Sequence, residues 1–248
     1  MSYELLTVNQ AKMLKSASEN YLSAVLHLEP AYQIGRLNTC PNAGICKGTC
    51  IAKTGRMRFD NARQARIRRT EMFYYDPYYF FKLLDAEIHS VQWKARRQRM
   101  SLSVRLNGTS DIPYETYLDS SGLNVFQRHP DIQFLDYTKI EDRMALQIPN
   151  YTLVYSVSER SDPAVVASML DSGARVATVF STKRGDQLPK RHSFAGKSYR
   201  VVDGDTHDLL HLRPKGSVLG LRYKMAFSER TRKALKPNKR FVILQEVA

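Results

Sequence analysis

The sequence has few cysteines, histidines and tryptophans, and no apolar run long enough to cross a membrane. Its 248 residues include three cysteines, six histidines and one tryptophan. A bilayer-spanning helix needs about 20 consecutive apolar residues, and a secretory leader places an apolar stretch after basic residues. The N-terminal sequence MSYELLTVNQAKMLKSASEN has neither pattern. We therefore expect a cytoplasmic protein, and hydrophobic residues at 43% are enough for a folded core.

The absence of two histidines that flank a single residue argues against one class of metal-dependent enzyme. In YYDPYY, residues 74 to 79, three residues separate Tyr74 from Tyr78 and Tyr75 from Tyr79, as in the paired nucleophiles of rolling-circle replication initiators. Those enzymes hold a metal with two histidines that flank a single residue, and the sequence has no such pair. We interpret the tyrosines as an aromatic helix face that packs on the core or stacks on bases.

All three cysteines lie in one short segment, NTCPNAGICKGTC, at residues 38 to 50. An odd number of clustered cysteines in a reducing compartment argues against disulfides and favours a metal, an iron–sulfur cluster or a redox nucleophile. Gly44 and Gly48 let the backbone curl so that Cys40, Cys46 and Cys50 converge. Zinc would need a fourth ligand, whereas three thiolates around a [4Fe-4S] cluster leave one iron open.

The choice between these two metals depends on histidine. No histidine lies within the cysteine segment, which favours the cluster, although a distant His207 or His211 would still complete a zinc site. Both belong to DGDTHDLLH, which also holds Asp203, Asp205 and Asp208. The spacing of the two histidines suits metal ligands on one helical face, and the segment equally suits a polar turn with a helix cap. The metal interpretation supports an alternative function, a metal-dependent nuclease.

Positive charge is in excess and unevenly distributed. Lysine and arginine number 38 against 24 acidic residues, a formal charge of +14, and such a field attracts nucleic acid. One basic run extends from residue 53 to 69 and another from residue 222 to 240. The alternative is a set of solvated helix faces. The residues of the first run are Lys53, Arg56, Arg58, Arg63, Arg66, Arg68 and Arg69.

Helical patterns dominate the first hundred residues. Apolar spacing predicts an amphipathic helix over residues 8 to 28, and AYQIGRL, residues 31 to 37, has strand-like character. Asp60 or Asn61 can cap a helix that continues past Arg69. Asp76 and Pro77 predict the start of a second helix that ends near residue 98, since proline suits a first helical position.

Strands alternate with helices in the rest of the chain. This pattern implies parallel pairing and an α/β fold, either a partial (β/α)6-type barrel or an open parallel sheet, with a helical N-terminal extension. We expect one domain, with the extension at residues 1–29, the α/β core at 30–223 and a basic C-terminal segment at 224–248. The active site should lie in the loops at the carboxyl ends of the strands. The predicted strands are residues 102–106, 132–137, 151–157, 174–180, 199–202 and 217–223, with a helix from Asp162 to Gly173 between the third and fourth.

A strand, a three-cysteine loop, a helix and a second strand that ends in a polar, glycine-containing loop resemble the opening of the radical S-adenosylmethionine superfamily. The resemblance implies a partial barrel with a [4Fe-4S] cluster on the three cysteines and S-adenosylmethionine as a second ligand. It also implies that the loop after the second strand, Asn107, Gly108, Thr109, Ser110 and Asp111, helps to hold the methionine part. The cysteine spacing departs from the usual one, with five and then three intervening residues.

A closer resemblance is to the gene product 88 family of bacteriophage proteins. It is carried by Thr39-Cys40-Pro41, the other two cysteines, Gly55-Arg56, the arginine-rich segment 63–69, and Arg105 and Leu106 with Asp111. The segment FLDYTK also fits, and the resemblance covers roughly residues 36 to 180. It implies a phage or prophage origin and the cytoplasm of a bacterial host.

These observations predict an iron–sulfur protein that resembles radical S-adenosylmethionine enzymes and acts on or near nucleic acid or nucleotides. Two alternatives remain open at this point. One is a non-catalytic nucleic-acid-binding phage protein with a structural metal or cluster, and the other is the metal-dependent nuclease.

Overall fold

The computed structural model describes residues 4–8, 15–183, 185–224 and 242–243. In this part of the chain, ten strands form one sheet. The strands are β1 (Leu6–Thr7), β2 (Tyr21–Leu26), β3 (Ser101–Arg105), β4 (Gln133–Thr138), β5 (Tyr151–Ser156), β6 (Arg175–Phe180), β7 (Arg191–Phe194), β8 (Lys197–Asp203), β9 (Val218–Arg222) and β10 (Val242–Ile243). The α-helices are α1 (Asp60–Tyr75), α2 (Pro77–Arg97), α3 (Val125–Arg128) and α4 (Pro163–Asp171).

The strand order is β1-β2-β3-β4-β5-β6-β9-β8-β7, and β10 pairs with the end of β6. All neighbours from β2 to β8 along this path are parallel, while β1 and β7 pair antiparallel at the two edges. Within the described residues β1 and β7 do not pair with each other, so the sheet is open. The predicted α/β class is confirmed, in the form of an open and mostly parallel sheet.

Helix α2 covers the first half of the sheet because one of its faces is apolar. Phe80, Leu84, Ile88 and Val91 recur at helical spacing and are fully buried in the core that includes Val104 of β3. The predicted helix start is confirmed, since the side chain of Asp76 accepts from the Tyr79 amide at 3.1 Å and Pro77 occupies the first helical position.

Helix α4 covers the second half of the sheet and also confirms its prediction. The side chain of Asp162 accepts from the Ala164 amide at 2.8 Å, with Pro163 at the first helical position. Val166 and Leu170 are buried in a core cluster that includes Val176 of β6. The two helices therefore leave the carboxyl ends of the parallel strands to the loops.

The predicted helix over residues 8 to 28 is wrong where the structure describes it. A short 3₁₀ helix, Lys15–Glu19, ends at Asn20, whose φ of 58° is left-handed, and the chain then enters β2. A strand buried on both faces carries a continuous apolar run, which periodicity does not separate from a buried helix. Residues 9–14 lie outside the described part of the chain. The predicted helical extension at residues 1–29 is therefore wrong for the described residues, which contribute β1 and β2 to the sheet.

Two further expectations concern the cysteine loop and the C-terminus. Residues 31–37 are irregular, with a single bridge between Ile34 and Leu37, so the predicted strand there is wrong. Most of the basic run 222–240 and most of the segment 224–248 lie outside the described residues. The division of the chain into domains stays a prediction. No helix in the described ranges has the length and apolarity needed to cross a bilayer.

Candidate functional site

Parallel pairing brings the carboxyl ends of β2, β3 and β4 to one edge of the sheet. The loop after β2 carries the cysteines, the loop after β3 carries residues 107–111, and the loop after β4 begins with Lys139. Together these loops surround a cavity of about 230 Å³. The three cysteines and all five residues from Asn107 to Asp111 line it. The cysteines and the 107–111 loop, which the resemblance to radical S-adenosylmethionine enzymes assigned to one site, therefore line one cavity.

The cysteine loop is a series of short 3₁₀ turns, Ile45–Lys47, Ile51–Lys53 and Gly55–Arg58. The loop packs against Glu159 at Gly44. A side chain would have no room there, because an added Cβ would lie 1.8 Å from Oε1 of Glu159. The same oxygen accepts from the Ile45 amide at 3.0 Å. Glu159 thus holds the middle of the loop against the segment that follows β5.

Glu29 and α1 hold the two ends of the cysteine loop. Nε of Arg66 donates to Oε2 of Glu29 at 2.7 Å, and both side chains are buried. Another nitrogen of Arg66 donates to the Met57 carbonyl at 2.8 Å. The Glu29 carbonyl accepts from Oγ1 of Thr39, and its amide donates to Oγ1 of Thr70. Buried charge pairing of this kind fixes the loop geometry because neither partner can reach water.

The three thiols are free and partly buried. Burial raises the pKa of Cys40 to about 11 and raises that of Cys50 above its usual range. The Cys40 thiol donates a hydrogen bond to the Thr109 carbonyl, with Sγ 3.5 Å from the oxygen. Among the described residues the three sulfur atoms are not gathered into a group that would hold a metal ion without rearrangement of the loop.

The loop after β3 approaches β2 closely. An added Cβ on Gly108 would lie 2.5 Å from both Nδ1 of His27 and Cγ1 of Val25, so only glycine fits. Oγ1 of Thr109 donates to the Leu28 carbonyl at 2.6 Å. Oδ1 of Asn107 accepts from Oγ of Ser110 and from the Ile112 amide, both at 2.8 Å. The polar side chains therefore shape this loop from within.

Asp111 connects the three loops around the cavity. Its amide donates to the Thr39 carbonyl at 2.7 Å in the cysteine loop, and its Oδ2 accepts from the Lys139 amide at 2.7 Å. Its Oδ1 accepts from Arg143 at 2.9 Å, which also pairs with Glu115 at 2.7 Å. The cavity wall is therefore a continuous hydrogen-bonded network.

A buried carboxyl lies beneath this network. Asp136 accepts from the Asn107 amide at 2.7 Å and from the hydroxyl of Tyr151 at 3.0 Å. Burial raises the pKa of Asp136 to about 6, against the opposing influence of Arg105 and Arg143. This carboxyl therefore takes up a proton at a higher pH than an ordinary aspartate does.

Three further lining residues were noted in the sequence without a role in the predicted site: Arg105 and Lys139 within the gene product 88 motifs, and Ser156 at a strand end. Lys139 directly follows β4, and Ser156 is the last residue of β5. Nζ of Lys139 donates to Oγ of Ser156 at 3.2 Å. Arg105, at the end of β3, faces Asp208 at 3.6 Å and lies over the ring of Tyr137. Their position at strand ends, where active-site loops begin, is the signal in the sequence for a place in the site.

The residues of the first basic run are divided by the fold. Lys53, Arg56, Arg58, Arg63 and Arg68 are exposed, while Arg69 is half-buried. Lys53 also lines the cavity. Arg66 is buried against Glu29, so its guanidinium is not part of the exposed basic surface.

The group at residues 203–211 is used within the protein. Asp203 accepts from Arg222 at 2.8 Å, and Nδ1 of His207 accepts from the Leu209 amide at 3.2 Å. Nε2 of His211 lies 3.1 Å from the hydroxyl of Tyr21, and burial lowers the pKa of His211 to about 4. Only His211 belongs to the 3₁₀ turn Leu210–Leu212, so the predicted helical face with both histidines does not form. Among the described residues this group brings no three ligand atoms together.

The tyrosine segment spans the end of α1 and the start of α2, with Asp76 between the two helices. Tyr75 and Tyr78 are 74% and 78% exposed, so they are available for stacking and do not pack on the core. The hydroxyl of Tyr74 donates to the Asn38 carbonyl at 2.6 Å beside the cysteine loop. The neighbouring Phe73 and Phe80 are the aromatic residues that enter the core.

The fold and site define a class: an open α/β sheet with a cysteine-lined, hydrogen-bonded cavity at the carboxyl ends of its parallel strands. Comparison with family models gives a match to gene product 88 over residues 4–237. The chain belongs to the gene product 88 family of bacteriophage proteins, and the match extends beyond the region where the sequence motifs lie. No curated protein and no solved structure matches the chain.

Proposed function

We propose that the cavity holds an iron–sulfur cluster on Cys40, Cys46 and Cys50 and that the protein is a radical S-adenosylmethionine-like enzyme. The observation that carries this proposal is that the three cysteines and the 107–111 loop line one cavity. The donor set is three free thiols, and the polar side chains beside them are engaged in the cavity wall.

The cluster is preferred over zinc because the cysteine segment contains three thiols and no histidine to serve as a nearby fourth ligand. Metal binding would displace the protons that burial keeps on Cys40 and Cys50.

The strand order gives further support. The strands β2, β3, β4, β5, β6 and β9 follow one another as parallel neighbours along the sheet. A partial (β/α)6 barrel has this sequential order, with the cysteine loop after its first parallel strand.

Bound there, such a cluster would supply one electron for the reductive cleavage of S-adenosylmethionine. The protein's own residues would position the second ligand. The cysteine loop and the 107–111 loop touch through Cys40 and Thr109. A molecule bound in the cavity would therefore contact both loops. Lys139 and Ser156 offer polar groups to a nucleoside or amino-acid part, and the close packing of Gly108 on Val25 excludes water from that side.

This function is tested by adding S-adenosylmethionine and dithionite to anaerobically reconstituted protein and measuring 5′-deoxyadenosine and methionine. We expect both products from the wild type and neither from the Cys46→Ser variant. Thr49→Ser, a conservative change in the same loop, is the matched control and should retain activity. Cluster-loaded protein that releases neither product would rule out the catalytic proposal and leave a structural cluster.

Nucleic acid is the proposed partner, because Arg56, Arg58, Arg63 and Arg68 are exposed beside the site and the net charge is +14. We expect RNA or DNA binding that weakens steeply between 50 and about 200 mM salt. Arg56→Glu/Arg58→Glu should weaken it at least about tenfold, whereas Lys190→Glu/Arg191→Glu, at the opposite edge strand, should change it little. Equal effects of the two pairs would contradict a specific surface. We propose that it acts in the cytoplasm of a bacterial host, and membership in a bacteriophage family supports this.

A further inference from the structure

A second group of metal-ligating side chains lies outside the cysteine-lined cavity. Asp85 and His89 belong to α2, and His129 directly follows α3. Their ligand atoms all lie within 4.8 Å of one another, and no other group of three or more such residues meets this condition among those that the structure describes.

The geometry of the three side chains follows from the secondary structure. Asp85 and His89 are four residues apart on a helix, so they share one face. Nε2 of His89 lies 3.9 Å from Oδ2 of Asp85, and Nε2 of His129 lies 2.9 Å from Oδ1. The two imidazole rings meet edge to face with their centroids 4.8 Å apart.

Two of the facing atoms form a short ion pair with poor hydrogen-bond geometry. Oδ1 of Asp85 and Nε2 of His129 are buried, and neither has a hydrogen-bond partner of acceptable geometry despite their short separation. The His129 side chain is only 2% exposed. Buried polar atoms are nearly always paired, with protein or with an ordered ligand. A cation shared by both atoms would satisfy them together.

Arg128 prepares the carboxylate for this role. Its Nη2 lies 3.0 Å from Oδ2 of Asp85, and its Nη1 donates to Asp119 at 2.8 Å. The guanidinium therefore occupies one oxygen of Asp85 and leaves Oδ1 directed toward His129. A group that orients a metal-binding carboxylate in this way is common behind metal ligands.

We infer that Asp85, His89 and His129 bind a divalent transition metal ion, with zinc the best match. Two imidazole nitrogens and one carboxylate oxygen are a common zinc donor set. Ligands about 2.0–2.1 Å from a tetrahedral ion lie about 3.4 Å apart. Nε2 of His129 lies 2.9 Å from Oδ1 of Asp85, and the three ligand atoms all lie within 4.8 Å of one another, so small side-chain movements would bring them to this spacing. Because His89 is 62% exposed, solvent or a substrate can reach the fourth position.

Cobalt and zinc titrations of the full-length, chelator-treated protein test this inference. Cobalt on nitrogen and oxygen ligands absorbs weakly in the visible, whereas cobalt on thiolates adds an intense near-ultraviolet band, so binding here is distinguished from binding at the cysteines. We expect one ion of the first type per chain, displaced by zinc. Its presence or absence does not depend on the proposed cluster.

Variants locate the ion. His89→Ala changes an exposed side chain, so it should preserve the fold while weakening cobalt and zinc binding at least about tenfold. His129→Gln should do the same, and His192→Ala, in β7, is the matched control that should bind like the wild type. The inference is overturned if cobalt gives only the thiolate spectrum, or if His89→Ala binds both metals as tightly as His192→Ala does.

Discussion

The guanidinium of Arg66 donates from Nε to Oε2 of Glu29 over 2.7 Å, and the two side chains are 3% and 4% exposed. Glu29 lies just after β2 and Arg66 in the middle of α1, so their pairing closes the segment that carries all three cysteines. Arg66 belongs to the basic run that suggested nucleic-acid binding, but its role here is to stabilise the structure of the site.

Arg66→Ala should destabilise the protein by about 3 kcal/mol, because it leaves Glu29 buried without its partner. Arg63, whose Nε lies 3.4 Å from Glu29, keeps the cost at the lower end of the range for broken buried pairs. Urea unfolding measures the change. Arg68→Ala, exposed on the same helix, should stay within about 0.5 kcal/mol of the wild type, and equal losses in the two variants would count against the buried pair.

Gly108→Ala should lower the free energy of unfolding by about 1–3 kcal/mol, because the new methyl group would meet His27 and Val25 at 2.5 Å in the core. Gly48→Ala is the matched control. Its Cβ would meet nothing closer than the Ile45 carbonyl at 3.6 Å, and its φ of −69° suits alanine. Thermal unfolding of both variants gives the comparison. A Gly108→Ala protein as stable as Gly48→Ala would show that the two loops do not pack this closely.

The contribution of His27 to stability should fall as the pH drops below about 6.5, the value for a free imidazole. Burial, reinforced by Arg105, lowers the pKa of His27 to about 3, so between these values the unfolded chain binds a proton that the folded protein does not. The contribution is fully present above pH 6.5 and is lost at up to about 1.4 kcal/mol per pH unit on acidification. Urea unfolding at pH 7, 6 and 5 checks it. His27→Gln should show a shallower decline, and identical slopes would contradict the buried, neutral imidazole.

Metal binding should not depend on the 203–211 segment. His207 and His211 contact Leu209 and Tyr21 in the structure and are not brought together with a carboxylate among the described residues. His207→Ala/His211→Ala should therefore retain the metal content of the wild type, measured by elemental analysis. Loss of one metal equivalent would revive the nuclease alternative.

Much of the fold could be predicted from the sequence because helix caps and strand patterns depend on residues that are close together in the chain. Asp76-Pro77 and Asp162-Pro163 start helices where predicted. β2 escaped prediction because its burial depends on pairing with β3, 80 residues away in the case of Ser23 and Ser103. The open sheet could not be told from a barrel, since pairing at the edges leaves no mark on composition.

The candidate site divides in the same way. The cysteines and the 107–111 loop were found because they follow strands or cluster in sequence. The bond between Ile45 and Glu159 spans 114 residues and has no local signal. For the second metal group, only the spacing of Asp85 and His89 was visible, and His129 joins them through the tertiary fold.

The most direct test of the account is the iron and sulfide content of the protein purified or reconstituted without oxygen, together with its visible spectrum. The account predicts a brown protein with about four irons and four sulfides per chain, and loss of both in Cys40→Ser, Cys46→Ser or Cys50→Ser. A colourless protein with one zinc that depends on the cysteines would contradict it.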